Sequence, residues 1–164
     1  GSSFSATNEL QTQIAGWYAD GTEVVFACGG SMFQSVKAAA AEYPNAKIIG
    51  VDVDQSGESD RVITSAVKGL SASVQKVLGQ IYAEKWDSEL GGKTQNLGAA
   101  DDATGLPTGA SWKMTNFTEA QYKELLGKIK NGTITPDATV PADCNDEAWL
   151  TAKNYTKVTV KFEK

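Results

Sequence analysis

Histidine is absent from this sequence of 164 residues. Without imidazole there is no Ser-His or Cys-His nucleophile activation, no histidine general base and no His-ligated zinc or haem. Arginine is nearly absent too: Arg61 stands alone beside 14 lysines, against 20 acidic residues, for a net charge of −5. A duplex-binding surface needs a concentrated cationic stripe to neutralise phosphates, so nucleic acid is not an expected partner. The two cysteines, Cys28 and Cys144, lie far apart. They can complete neither a structural zinc site nor a disulfide framework, and they form no C-x-x-C pair. One long-range bridge is open to them, with two free, half-buried thiols the expected state. No apolar run approaches the roughly 20 residues that span a bilayer, and the N-terminus has no charged-then-apolar signal peptide. The opening Gly1-Ser2-Ser3 reads as a cloning remnant, which points to a mature or truncated chain.

What is present is enough apolar residue, 41%, to form the core of one α/β domain spanning residues 1–164. From Ser5, apolar residues recur at helical spacing through Leu10, Ile14, Trp17 and Tyr18 and stop at Asp20-Gly21. Val24 to Cys28 is a short continuous apolar run closed by Gly29-Gly30, as in a strand covered on both faces. Ser31 is placed to cap a second helix with an inward stripe of Met32, Val36, Ala39 or Ala40, and Tyr43, ended by Pro44. Lys47–Val53 and Val62–Val67 read as two more strands around a polar loop, Gln55–Asp60. Ser71 opens a long helix through Val74, Val77, Leu78, Ile81 and Trp86. Strands alternating with helices, with crossovers of about a dozen residues or more, imply a mainly parallel sheet in a Rossmann-like α/β/α sandwich. Further on, Gln95–Gly98 is a candidate short strand and Asp101–Gly109 a loop. Thr118 and Gln121 mark the start of a helix with Tyr122, Leu125, Leu126 and Ile129 on one face. Lys157–Phe162 alternates as an edge strand does, and residues 133–164 are expected to pack as a hinge or edge segment.

In an open parallel sheet, ligands bind beyond the carboxyl ends of the strands. Three such ends carry polar groups or glycine here: Cys28-Gly29-Gly30-Ser31, Asp52-Val53-Asp54-Gln55 and Lys68-Gly69. If the strands are neighbours, these converge on one rim. Gly29, Gly30 and Ser31 offer backbone N–H groups without Cβ interference, or simply a tight turn. Asp52 and Asp54, at i and i+2, point the same way on an extended chain and suit sugar hydroxyls, a divalent cation or a nucleophile and acid pair; turn formation is the plainer role. Lys68 can pair with Asp52 or donate to ligand oxygens, or be solvated.

The succession from Asp20-Gly21 through Val25-Phe26 to Gly29-Gly30, then Ile49-Gly50-Val51-Asp52-Val53-Asp54-Gln55, then Thr64-Ser65-Ala66-Val67-Lys68 resembles the basic membrane protein family. These are substrate-binding lipoproteins of ABC importers, among them purine nucleoside receptors. Residues 95–109 and the end at Lys157–Phe162 are similar to the later portion of the family. The resemblance implies the C-terminal lobe of a two-lobed, type I periplasmic-binding-protein-like molecule, the N-terminal lobe supplying the rest of the cleft. It implies a nucleoside-like ligand bound by Gly29, Gly30, Ser31, Asp52, Asp54, Gln55 and Lys68, with Asp52 or Asp54 on the ribose hydroxyls. Permease subunits are the implied protein partners, a lipid anchor outside this chain the implied membrane attachment, and the bacterial cell exterior the implied location. No cofactor, metal or catalytic residue is expected.

Two alternatives stand beside it. Asp52-Val53-Asp54-Gln55-Ser56 approximates the nucleophile loop of haloacid-dehalogenase-like phosphatases, with Thr64-Ser65, Lys68 and Asp101-Asp102 as later phosphate and Mg²⁺ groups. The same lobe also serves in the sensor modules of receptors and regulators.

Overall fold

The computed structural model describes residues 4–139, together with Ala148 and Thr159. The chain divides into two compact units, Gly1–Ile134 and Thr135–Lys164. In the second, an Asx turn is described in which the Asp137 carboxylate accepts from the Thr139 N–H at 2.9 Å. Cys144 and the strand expected at Lys157–Phe162 lie outside the described residues apart from Thr159.

The first unit is α/β. Helix α1 (Asn8–Ala19) starts three residues after Ser5, with Thr7 as its N-cap, the Thr7 hydroxyl accepting from the Leu10 N–H. Strand β1 (Val24–Phe26), helix α2 (Met32–Ala41) and strand β2 (Lys47–Asp52) come next, then strand β3 (Val62–Lys68) and helix α3 (Leu70–Tyr82). A two-residue strand β4 (Thr104–Gly105) and helix α4 (Glu119–Lys130) complete it. The sheet order is β1-β2-β3-β4, with the first three strands parallel neighbours and β4 antiparallel to β3. The three strand ends singled out in the sequence therefore share one rim.

The core lies where α1 and α2 meet the sheet: Ile14, Tyr18, Val25, Phe33, Val36, Ala39, Ala40, Ile48 and Val62 are buried together. Ala39 and Ala40 are fully buried, and their small side chains let the helix approach closely. The α2 stripe runs through Phe33, Ser35, Val36, Ala39 and Ala40 and not through Met32, which is only half-buried. Phe33 and Val36 stand at i and i+3 on one face with the alanines. Buried Ser35 is satisfied by both the N–H and the carbonyl of Thr7, at 2.9 Å each, which ties the start of α1 to α2. The Tyr18 hydroxyl donates to the Lys47 carbonyl at 2.9 Å, and burial pushes its pKa up to about 12, so it remains a donor.

Helix α3 begins at Leu70, not Ser71, and stops at Tyr82. Trp86 belongs to a separate π-helical turn, Trp86–Leu90. No residue of α3 is buried, and Leu70, Val74, Leu78 and Ile81 are exposed. The expected strand at Gln95–Gly98 is not formed; β4 arises instead inside the segment read as a loop, paired to Val67 and Lys68. Helix α4 starts in a reciprocal capping box of Thr118 and Gln121, as the spacing predicts.

The connection from β2 to β3 is the polar loop that the sequence predicts, and it departs from the usual form of a parallel crossover. Parallel strands ordinarily need a crossover of about a dozen residues or more, usually helical. Here residues 53–61 make the crossing with no helix. Lacking helical hydrogen bonds, the crossover is held by side chains: the Gln55 N–H donates to Ser65 Oγ at 3.0 Å, and Gln55 Oε1 accepts from the Val51 N–H at 2.9 Å. At its far end, Glu58 pairs with Lys37 of α2 at 3.1 Å.

Candidate functional site

The rim is built from the C-terminal ends of β1, β2 and β3. At β1 the strand ends at Phe26, earlier than the expected Cys28, and the chain turns through Gly29 and Gly30, the latter at φ +43°, a region that favours glycine. The chain's own entry segment covers this turn. A Cβ on Gly29 would stand 2.3 Å from the Phe4 ring, and one on Gly30 would stand 2.6 Å from the Phe4 carbonyl oxygen. The Phe4 side is nevertheless open, with the residue 71% exposed. Ser31 occupies the N-cap position of α2, but its hydroxyl caps nothing. It accepts from the Ala6 N–H at 3.1 Å and donates to the Phe4 carbonyl, so it fastens the entry segment. Cys28 is free and exposed, not half-buried.

At the end of β2 the two carboxylates part. Asp52 adopts φ +67°, which Asp tolerates better than most residues, and the backbone is no longer extended there. The side chains of Asp52 and Asp54 consequently do not share a direction as the extended spacing implied. Asp52 is exposed and faces Lys68 at the end of β3, Nζ to Oδ1 at 4.0 Å. Asp54 is turned to its own chain: Oδ1 accepts from the Ser56 N–H at 3.0 Å and Oδ2 from the Ser111 hydroxyl at 2.5 Å. The Ser111 and Ser56 contacts hold the Asp54 carboxyl below the usual carboxylate range. Gln55 has its backbone N–H and side-chain oxygen engaged with Ser65 and Val51.

Lys68 is positioned by its neighbour in the chain, Gly69. The Gly69 N–H donates to the Ala103 carbonyl at 2.8 Å, and a Cβ on Gly69 would stand 2.1 Å from the Asp102 carbonyl oxygen. Only glycine permits that approach, which holds the β3 end against β4. Lys68 and Asp52 form a pair open to solvent, with side chains 63% and 55% exposed. Such a pair contributes little to folding, roughly 0–1 kcal/mol, and both groups remain available to a ligand.

Of the groups a phosphatase reading requires, Asp52 and Lys68 stand together, but the others are engaged elsewhere. Ser65 is fully buried under Gln55, Asp101 pairs with Lys76 at 2.5 Å, and Asp102 pairs with Lys130. No group of three or more His, Cys, Asp or Glu residues is placed to hold a metal ion among the described residues.

Phe4 is the rim residue that sequence reasoning passed over. It lies outside any periodic segment, and its only sequence signal is an aromatic among Ser and Ala.

No curated protein matches the chain. Residues 4–143 match the family model described as Bmp, ABC transporter substrate-binding protein PnrA-like. That span takes in all three rim segments, and the chain belongs to this family of ABC transporter substrate-binding proteins.

Proposed function

We infer that this chain is one lobe of an extracytoplasmic receptor that delivers a purine nucleoside, or a closely related polar molecule, to a bacterial ABC importer. The observation that supports it most is the exposed Asp52 carboxylate facing Lys68 at 4.0 Å on the C-terminal rim of the sheet. A ribose diol is a double hydrogen-bond donor, and one carboxylate accepts both hydroxyls. The ammonium of Lys68 donates to sugar oxygens beside it. The open ring of Phe4 on the adjacent turn gives an apolar face for a base. Gly29 and Gly30 allow the entry segment and its aromatic ring to lie close against the turn. In this reading a second lobe closes over the rim, a lipid anchor outside the chain holds the protein at the membrane, and the closed form docks on permease subunits.

The test is calorimetric titration of the two-lobed protein with inosine and with its 2′,3′-dideoxy analogue. Asp52→Ala is expected to weaken inosine binding by at least ~2 kcal/mol, the scale of a hydrogen bond to a charged acceptor. It should leave the already weak affinity for the dideoxy analogue unchanged. Undiminished inosine affinity in the variant overturns the assignment of Asp52.

A further inference from the structure

The helix-free crossover 53–61 is held to a second segment far along the chain. The Asp54 carboxylate accepts from the Ser111 hydroxyl at 2.5 Å, Ser56 Oγ lies 3.1 Å from Ser111 Oγ, and Lys113 Nζ donates to the Ser56 carbonyl at 3.2 Å. The same segment reaches the sheet through the Lys113 N–H on the Ile63 carbonyl, at 3.4 Å. Both Asp54 carboxylate oxygens already accept hydrogen bonds within the protein, from Ser56 and Ser111.

We propose that Asp54 is a positioning residue: with Ser111 it clamps the 109–113 segment to the crossover, and so fixes the backbone from which Asp52 meets the ligand. The geometry leads there in two steps. First, Asp52 sits at φ +67°, immediately before a crossover without helical hydrogen bonds. Its orientation depends on how firmly the next few residues are held. Second, the ties on those residues come from two sides: Gln55 to Ser65 and Val51 within the sheet, and Asp54 to Ser111 outside it. Releasing the outer tie leaves Asp52 chemically intact but less well aimed. This rests on the reading of Asp52 and Lys68 as the ligand-facing pair.

The two roles open to Asp54 separate in a double-mutant cycle on the two-lobed protein, with inosine as probe. As a clamp, Asp54→Asn and Ser111→Ala each weaken binding roughly three- to tenfold, and the double variant is no weaker than the worse single one. Ser111→Thr, which keeps the hydroxyl, retains wild-type affinity. If Asp54 touches the ligand directly, Asp54→Asn weakens binding equally in the Ser111→Ala background, and additive losses overturn the proposal. Amide hydrogen exchange of this chain without ligand gives the independent arm. Both single variants should speed exchange in residues 53–57 and in 109–113 alike, and unchanged exchange in either segment overturns the clamp. If the wild-type protein binds no inosine, the nucleoside reading fails, and the exchange result alone decides the clamp.

Discussion

Gly50 shows how tightly single residues are fitted under the rim. A Cβ there would stand 2.5 Å from Gln55 Oε1 and 2.8 Å from Ser65 Oγ. The Gln55 side chain could swing away only by releasing the Val51 N–H, so Gly50→Ala should destabilise the protein by about 1–3 kcal/mol. Urea denaturation reads this directly, and an unshifted midpoint would mean that Gln55 moves without loss. The same residues mark the limit of sequence reading. Asp52, Asp54 and Gln55 lie within four positions and look alike as polar residues after an apolar strand. They differ in what they meet: Lys68 for Asp52, Ser111 for Asp54 at a separation of 57 residues, Ser65 for Gln55 at a separation of 10. The Lys68 partner follows from the strand ends sharing a rim, but no local spacing encodes the Ser111 and Ser65 partners. The positive φ of Asp52 is also hidden in sequence, because Asp is common in both extended and left-handed positions at strand ends.

Among the elements, α2 and α3 carry similar apolar periodicity and meet opposite fates. Helix α2 presents Phe33 fully buried, while α3 presents Val74 at 58% exposure. Phe33→Ala should therefore cost about 3–5 kcal/mol, the range for emptying a buried aromatic site. Val74→Ala should change stability by no more than about 0.5 kcal/mol. Thermal or chemical denaturation of the two variants checks both, and a large loss at Val74 would show that the α3 face is packed in solution. Periodicity reports which face of a helix is apolar, not whether a neighbour covers it, which is why α1, α2 and the three parallel strands were legible and the role of α3 was not. Strand β4 escaped because two residues carry no periodicity at all. The β2–β3 crossover was visible as a polar stretch, but the rule that parallel crossovers are long and helical concealed how it is held.

At the scale of the whole molecule, the proposed two-lobed receptor makes this rim one side of a cleft. Asp52, Lys68 and Phe4 all stand open, so a ligand bound to this chain alone would keep much of its surface in water. On that reading, nucleoside affinity of the isolated chain should be at least about a hundredfold below that of the two-lobed protein, because closure of the proposed second lobe would supply the remaining contacts and the desolvation. Parallel calorimetric titrations measure the ratio, and equal affinities would place the binding site within this lobe alone. The helix-free crossover also bears on the order of folding. A helical crossover can begin to form locally, whereas this one acquires its outer tie only when Ser111 arrives from 57 residues away. The α1, α2, β1 and β2 core can assemble first, leaving the Asp54–Ser111 contact for the native side of the barrier. Stopped-flow chevrons should then show Ser111→Ala accelerating unfolding with refolding nearly unchanged, a φ-value near zero, and slowed refolding would place the contact in the nucleus.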